Sequence, residues 1–246
     1  MKKETIAVWF SCGAASAIAA KLTVEKYGNT HNVLIVNNPV KEEDEDNRRF
    51  LKDVSDWIGL EIIEAVNRDI GTVSAYDVWE KRKYMSGVKG APCTMLLKKE
   101  ARYQFERGNN IDWHVLGFTV DEKDRHDRFV KSERDNVIPI LIDAALTKVD
   151  CFKILEAAKI DLPRVYKLGY PNANCIGCVK SSSPTYWNHV RKINPEVFIE
   201  RAEQSKRIKC KLVKVKGKRI YLNELLETDK GGKMKSYECG IFCDTK

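Results

Sequence analysis

Short apolar runs separated by helix-length segments recur along the first half of the chain, and this alternation most constrains its fold. The runs cover residues 6–10, 33–36, 61–66 and 113–117. Strands that alternate with helices favour parallel β-α-β units with right-handed crossovers. The sequence therefore predicts an α/β fold in which helices cover both faces of a mostly parallel sheet. Ligands of such sheets bind beyond the carboxyl ends of the strands.

A turn of small residues follows the first run and precedes an alanine-rich helical segment that extends to about Tyr27. Backbone N–H groups in such a turn can approach an anion at the N-terminus of the helix. We therefore expect a loop that binds phosphate or sulfonate. The alternative is that the small side chains serve only close packing of the helix on the sheet. The candidate loop consists of Ser11, Cys12, Gly13, Ala14, Ala15 and Ser16.

Eight cysteines are a second source of chemistry. Cys175 and Cys178 have the CxxC spacing, Cys239 and Cys243 form another close pair, and Cys93 lies far upstream. Two close pairs suit a tetrahedral zinc site, three or four thiolates suit an iron-sulfur cluster, and CxxC alone suits a redox dithiol. The others lie within predicted elements, where a role as a small buried hydrophobic residue is favoured: Cys12, Cys151 and Cys210.

The N-terminal sequence has neither the apolar segment nor the cleavage site of a signal peptide. No stretch approaches the roughly 18 consecutive apolar residues that a membrane-spanning helix requires. These patterns favour a cytoplasmic protein without a membrane partner. Cysteines in that compartment are typically reduced thiols, metal ligands or catalytic groups rather than disulfides.

The formal net charge of +8 is concentrated near the C-terminus. Residues 201–246 contain 13 basic and 6 acidic side chains, which leaves a charge of only +1 for residues 1–200. Within this part, residues 208–215 and 219–222 flank a turn at 216–218 and predict a β-hairpin. Its lysines could follow a nucleic-acid backbone, or could protect an edge strand from aggregation.

Seven short motifs follow one another along the chain: Phe10–Ser16, Glu45–Leu51, Leu116–Glu122, Ile138–Ile140, Tyr166 with Leu168–Asn172, Cys175–Cys178 and Glu238–Gly240. In this order they resemble the phosphoadenosine phosphosulfate (PAPS) reductase family, part of the adenine-nucleotide alpha-hydrolase, or PP-loop, superfamily. The resemblance extends over roughly residues 5–180, with one further motif near the C-terminus. Each motif alone is common, but their order is specific.

The resemblance implies a Rossmann-like (HUP-type) sheet with an adenine nucleotide across the carboxyl ends of its first strands. The loop of residues 11–16 would hold the anionic end of the nucleotide, and Asn37 and Asn38 would lie near the adenosine. Residues 1–182 would form this nucleotide-binding domain. Residues 183–246 would form a small C-terminal extension of two helices, a basic hairpin and a cysteine-containing tail.

The segment after the fourth run also corresponds to a family motif. By resemblance, Gly117, Arg125 and Arg128 would lie against the phosphate or sulfate, to which an Arg side chain can donate two parallel hydrogen bonds. Thr119 departs from the family pattern, because many members have Arg there. The alternative for both arginines is an ordinary solvated position on a helix.

The resemblance further implies a reaction. In sulfonucleotide reductases a C-terminal Glu-Cys-Gly motif supplies a thiolate that attacks the sulfonate sulfur and expels the nucleotide, and a thiol reductant then clears the S-sulfonated cysteine. Cys239 lies in such a triplet and would be this nucleophile. The cluster-bearing branch implies a 4Fe-4S cluster on Cys93, Cys175 and Cys178, with Cys243, or Cys239 itself, as the fourth ligand. Zinc is the alternative metal.

Two other functions are compatible with the same residues. In ATP-dependent thiolation, ATP with Mg²⁺ adenylates a nucleobase oxygen, pyrophosphate leaves, and a sulfur donor displaces AMP. The basic tail favours this reaction, although the loop lacks the Gly-Gly and Asp of ordinary ATP-pyrophosphatase loops. A non-catalytic nucleic-acid-binding protein would instead hold a structural Zn²⁺ on its two close cysteine pairs. The expected partners are an adenine nucleotide, a thiol reductant or sulfur donor, a nucleic acid at the tail, and a second copy of the chain in a homodimer.

Overall fold

The computed structural model describes residues 2–88, 90–232 and 234. Within these residues the chain forms two compact units, each assembled from three segments. The predicted domain boundary between residues 182 and 183 divides the sequence at one point, whereas each unit combines segments that are distant in the sequence. The predicted boundary therefore stays a prediction. Unit 1 contains the chain up to Pro39, Glu45–Val66 and Ala101–Arg164, and unit 2 contains Val40–Asp44, Asn67–Glu100 and the described chain from Val165 onward.

A five-stranded parallel sheet lies at the centre of unit 1. Its strands are β1 (Thr5–Trp9), β2 (Asn32–Asn37), β3 (Ile62–Glu64), β4 (Trp113–Val115) and β5 (Val137–Ile138). The spatial order is β3-β2-β1-β4-β5, and every neighbouring pair is parallel. Parallel strands joined through helices confirm the predicted Rossmann-like α/β fold.

Helices occupy the segments between the strands and much of the remaining described chain. None of the described helices combines the length and the apolarity needed to cross a bilayer. A π-helix at Thr94–Lys99 leads directly into the fourth α-helix. The α-helices are α1 (Ala14–Tyr27), α2 (Asp46–Ile58), α3 (Ala75–Arg82), α4 (Glu100–Gly108), α5 (Lys123–Ser132), α6 (Ile140–Asp143), α7 (Lys148–Ala157), α8 (Arg164–Lys167), α9 (Pro184–Ile193) and α10 (Pro195–Arg207).

The central strand β1 is buried along its whole length. Ile6, Val8 and the adjoining Phe10 belong to an apolar cluster that includes side chains of α1, α2 and α7. Trp9, whose side chain points to the opposite face because strand residues alternate, contacts Phe105 of α4 with ring centroids 5.9 Å apart. Both faces of the strand are therefore covered, as the continuous apolar run predicts.

Local sequence signals predict the start of helix α7 correctly but do not reveal strand β5. The capping box predicted at Thr147 is present, because Thr147 Oγ1 accepts from the Asp150 N–H at 3.2 Å and Asp150 Oδ2 accepts from the Thr147 N–H at 3.0 Å. The strand β5 has only two residues, too few for a periodic pattern to reveal.

Unit 2 has an apolar core of its own, which contains Trp79, Trp187 and Phe198. Helices α9 and α10 form where the sequence predicts them, each with a proline in its first turn. The predicted hairpin is also present, as the antiparallel strands β6 (Val213–Val215) and β7 (Lys218–Ile220).

A buried histidine lies next to β1 in unit 1. His114 of β4 is only 2% exposed, and its Nδ1 accepts a hydrogen bond from Trp9 Nε1 at 3.0 Å. Burial and, after it, the charges of Arg134 and Arg102 lower the pKa of His114 to about 3. The folded protein therefore holds this imidazole neutral at pH values where an unfolded chain would protonate it.

This difference predicts how stability changes with pH. Between the usual histidine pKa of about 6.5 and pH 3 the unfolded chain binds a proton that the folded chain does not, so the free energy of unfolding should fall as pH is lowered, by up to about 1.4 kcal/mol per pH unit. Urea unfolding of wild type and His114→Gln at several pH values measures the effect. In His114→Gln the free energy of unfolding should fall less steeply as pH is lowered. The control His31→Gln, which replaces a residue just before β2, should show the wild-type dependence on pH. Equal dependence in the wild type and His114→Gln would contradict the prediction.

Candidate functional site

The loop between β1 and α1 has the backbone shape that an anion site requires. Cys12 adopts a φ of +55°, and Gly13 occupies the N-cap position of α1. Because Gly13 has no side chain, the N-cap residue itself makes no side-chain capping hydrogen bond to this 14-residue helix. Its first backbone N–H groups therefore lack the side-chain acceptor that usually satisfies one of them, and they suit an anionic ligand.

The two loop serines have different roles. Ser16 is buried, donates from Oγ to the Gly13 carbonyl at 2.8 Å, and accepts from the Ser11 N–H at 3.1 Å. The exposed Ser11 hydroxyl also donates to Ser16 Oγ, at 3.2 Å. The Ser16 hydroxyl is therefore occupied within the loop and fixes its shape, whereas Ser11 lies at the surface.

The carboxyl end of β4 lies directly against this loop. A Cβ placed on Gly117 would stand 2.9 Å from the backbone nitrogen of Ser16 and 3.1 Å from the carbonyl carbon of Ala15. Backbone atoms cannot move aside as the end of a flexible side chain can, so only glycine fits here. The resemblance placed Gly117 at this site, and its contact explains why a side chain is excluded.

Two amides lie at the carboxyl end of β2. Asn37 Nδ2 donates to the Phe10 carbonyl at 2.8 Å and so joins β2 to the start of the loop. Asn38 is 3% exposed, and its Nδ2 donates to the Ala65 carbonyl at 2.8 Å. The Asn38 Oδ1 has no hydrogen-bond partner among the described residues. A buried acceptor without a donor is costly, which makes this atom a candidate for ligand recognition.

The arginines of α5 make contacts with residues close in sequence. Arg125 Nη1 pairs with Glu122 Oε1 at 2.9 Å, and its guanidinium lies 5.1 Å from the Phe118 ring centroid. Arg128 is exposed, and its Nε donates to the Asp124 carbonyl at 3.2 Å. These contacts fit solvated helix positions, and contact with an oxyanion stays a prediction.

The CxxC loop lies in unit 2. Cys175 and Cys178 are 9% and 8% exposed and share an apolar cluster with Cys93, which is 9% exposed. The Cys178 N–H donates to the Tyr186 hydroxyl at 2.7 Å, and the Ile176 N–H donates to the Glu42 carbonyl at 2.9 Å. Burial raises the pKa of Tyr186 well above its usual value, so this phenol stays neutral.

Arg201 of α10 lies against the same loop, a position that sequence patterns did not reveal. It is 1% exposed, and its guanidinium lies 4.5 Å from the Trp79 ring centroid. Its Nη1 donates to Gln204 at 2.7 Å, and its Nε is 3.7 Å from the place where a Cβ on Gly177 would stand. Burial lowers the pKa of Arg201, while the neighbouring Glu200 acts in the opposite direction. A cation buried at a cysteine loop favours negative charge there.

A metal would need more ligands than the described chain supplies. Within residues 2–88, 90–232 and 234, no group of three or more His, Cys, Asp or Glu side chains is arranged to hold a metal ion. The described residues alone therefore do not complete a ligand set for a cluster or a zinc ion. The predicted nucleophile Cys239 and the predicted ligand Cys243 lie outside the described residues.

The remaining cysteines resemble buried hydrophobic residues. Cys12 is 2% exposed and Cys151 is fully buried in unit 1. Burial raises the pKa of the Cys151 thiol to about 11, which makes it a poor nucleophile at neutral pH. The half-buried Cys210 donates its Sγ hydrogen to the Ser86 carbonyl at 3.4 Å.

Comparison with known proteins shows which fold the chain shares. No protein-family model matches the chain, and no curated protein sequence does so either. Among solved structures, a PAPS reductase from Candida auris in a phosphate complex matches with a TM-score of 0.52 and 9% identity, over 69% of this chain and 80% of that one. A U34-tRNA thiolase from Methanococcus maripaludis with its 4Fe-4S cluster matches with a TM-score of 0.47 and 14% identity, over 85% of this chain and 72% of that one. The fold predicted from the motif order, that of the PAPS reductases, is thus confirmed.

The contact between Gly117 and the loop can be tested by adding one carbon. Gly117→Ala should force the loop backbone to shift, lower the free energy of unfolding by about 1–3 kcal/mol and weaken anion binding. Urea unfolding and calorimetric titration with ATP measure both effects. The matched control is Gly108→Ala, whose Cβ would meet no atom within 4 Å; it should leave anion binding unchanged and, because the residue is helical, keep or slightly raise the free energy of unfolding. Equal behaviour of the two variants would contradict the close approach.

Proposed function

We propose that the protein is an enzyme of sulfur chemistry that binds an adenine nucleotide at the carboxyl edge of the unit 1 sheet. The observation that carries this proposal is the β1-α1 loop: α1 starts without a side-chain cap, and Gly117 leaves no room for a side chain beneath it. Close packing alone would explain the small residues. It would not explain the buried Asn38 Oδ1 at the end of β2, which has no hydrogen-bond partner among the described residues.

The loop and the amides divide the recognition of the nucleotide between them. The N–H groups at the start of α1 would bind the phosphate or sulfonate end, aided by the positive end of the helix dipole. At the end of β2, Asn38 Oδ1 would accept a hydrogen bond from the amino group of adenine, which would satisfy this buried atom. Asn37 would act indirectly, since its amide is already bonded to the Phe10 carbonyl.

The simplest reaction is reduction of an adenylyl sulfate. The Cys239 thiolate would attack the sulfonate sulfur, the bond from sulfur to the phosphate oxygen would break with its electron pair remaining on the nucleotide, and an S-sulfonated cysteine would form. A second thiol would then attack Cys239 Sγ, release sulfite and leave a disulfide for a dithiol reductant. Arg125 and Arg128 are our candidates for contacts to the sulfonate, with Gly117 beside it.

The cysteines of unit 2 could serve the same chemistry as ligands. We propose Cys93, Cys175, Cys178 and Cys243 as the ligand set, with a 4Fe-4S cluster favoured over zinc. Their burial in one apolar cluster, for the three that the structure describes, supports the proposal. Bound there, a cluster would supply electron transfer or sulfur ligation. Iron, sulfide and zinc analysis of anaerobically prepared protein distinguishes the two metals.

ATP-dependent thiolation of a nucleobase is the second candidate. It would use the same nucleotide site with Mg²⁺, and the exposed lysines of the β6-β7 hairpin favour it because a nucleic-acid substrate needs a basic surface. A non-catalytic nucleic-acid-binding protein with a structural zinc ion is the third candidate. It would explain the hairpin lysines and the cysteines but not the shape of the β1-α1 loop. We therefore rank it last.

Adenine recognition by Asn38 predicts a preference between nucleotides. Wild-type protein should bind ATP about 5- to 10-fold more tightly than ITP, which has a carbonyl in place of the amino group, because the Asn38 Oδ1 needs a donor. Asn38→Ala should lose this preference, as measured by calorimetric titration. Asn32→Ala, at the opposite end of the same strand, should retain it. The proposal is wrong if neither ATP nor an adenylyl sulfate binds or raises the melting temperature.

The reaction itself can be assigned by its products. A reductase should release sulfite from an adenylyl sulfate in the presence of a dithiol, and Cys239→Ser should abolish release while leaving nucleotide affinity unchanged. Cys210→Ser is the matched control and should retain activity, because this half-buried thiol only donates to a carbonyl. Pyrophosphate release from ATP that depends on a nucleic acid would instead assign thiolation.

A further inference from the structure

The basic ribbon, which we define as residues 209–221, is not used by the nucleotide site. It contains β6, β7 and the turn between them, and it has no acidic side chain. Its six basic residues are all exposed. They are Lys209, Lys211, Lys214, Lys216, Lys218 and Arg219.

These charges are not neutralised by the part of the chain that the structure describes. None of the five lysines of the basic ribbon forms an ion pair with a described carboxylate, whereas Arg207, just before the ribbon, pairs closely with Glu80. Arg219 donates to the carbonyl oxygens of Lys211 and Leu212, at 3.2 and 3.3 Å, rather than to a carboxylate. The ribbon therefore presents its full positive charge to solvent.

The arrangement of the charges works against the stability of the hairpin. Lys214 is directly opposite Arg219 in the antiparallel register, and like charges in that position repel each other. At the tip, Lys216 and Gly217 have φ values of +46° and +86°, which place a lysine where Asn, Asp or Gly is preferred. One or two lysines are enough to protect an edge strand from aggregation, so that role does not account for six basic residues in the ribbon.

Buried neighbours and a backbone hydrogen bond anchor the ribbon, and Lys214 and Arg219 lie on the strand face opposite Val213 and Ile220. Leu212 and Val213 are 1% and 0% exposed within the unit 2 core, and the Lys214 N–H donates to the Ser182 carbonyl at 2.9 Å. Ser182 lies just beyond the CxxC segment, whose Cys178 carbonyl accepts from the Ser181 N–H at 3.1 Å. The ribbon is thus attached to the unit 2 core beside the segment that follows the cysteine loop.

We propose that the basic ribbon binds the phosphodiester backbone of a nucleic acid. Six exposed cations within thirteen residues, none paired with a described carboxylate, fit a chain of phosphates. A membrane surface fits less well, because the ribbon has no exposed large apolar residue to insert into the lipid boundary. The binding is independent of the reaction proposed above, since it requires neither nucleotide nor the tail cysteines.

The test is equilibrium binding of the full chain to a fluorescent RNA hairpin, a single-stranded RNA and a DNA duplex, without nucleotide. Six phosphate contacts predict that affinity falls between 50 and 200 mM salt by about 300-fold for a single strand and about 2,000-fold for a duplex. In Lys214→Gln/Lys216→Gln/Lys218→Gln, affinity at 50 mM salt should fall at least tenfold and the dependence on salt should be about half as steep. Comparing the three probes identifies which kind of nucleic acid binds best.

A charge-matched variant distinguishes the effect of the ribbon lysines from the effect of the net charge of the protein. Lys52→Gln/Lys123→Gln/Lys153→Gln removes three exposed lysines from unit 1 and should bind as the wild type does. Unchanged melting temperatures would show that both variants are folded. The proposal is overturned if no probe binds at 50 mM salt, if the two variants bind equally, or if polyglutamate or anionic vesicles bind as tightly as the nucleic acids.

Discussion

The backbone of Gly117 lies so close to the first turn of α1 that no side chain fits between them. This contact holds the end of β4 against the loop that follows β1, and it fixes where the N-terminus of α1 is presented. The Ser16 hydroxyl closes the loop from within, and Asn37 ties it to β2. The candidate nucleotide site thus depends on the close approach of the Gly117 backbone to the β1-α1 loop. The hydrogen bonds of Ser16 and Asn37 support this arrangement and do not involve the backbone N–H groups at the start of α1.

Unit 2 has a corresponding constraint at its cysteine loop. Gly177, at a φ of +69°, permits the turn between the two cysteines, and a Cβ there would lie 2.8 Å from a methyl group of Val197. Tyr186 and Arg201 support the loop, one by accepting a backbone hydrogen bond and one by bringing a buried positive charge near it. A buried cation is costly unless it is compensated, so Arg201 favours negative charge on the neighbouring Cys175 and Cys178, which are proposed as thiolate ligands.

Much of the fold could be predicted because its signals are local. The strands β1 to β4, the capping box of α7 and the β6-β7 hairpin follow from apolar runs, cap residues and a turn within a few residues of each other. Strand β5 and the π-helix before α4 had no such signal: two residues show no period, and a π-helix has the composition of an ordinary helix. The role of Arg201 was missed because charged residues on a helix are usually solvated.

Amino-acid order alone specifies the α/β alternation, the succession of motifs that resembles the PAPS reductases, the concentration of charge near the C-terminus and the identity of the loop residues. The folded arrangement was needed to show that the Ser16 hydroxyl is bonded within the loop, that Asn38 has a buried acceptor without a described partner, and that Gly117 excludes a side chain. Periodicity, caps and turns act between residues close in the chain. The second set of properties depends on atoms brought together through space from distant segments, and packing alone determines which polar atoms are left for a ligand.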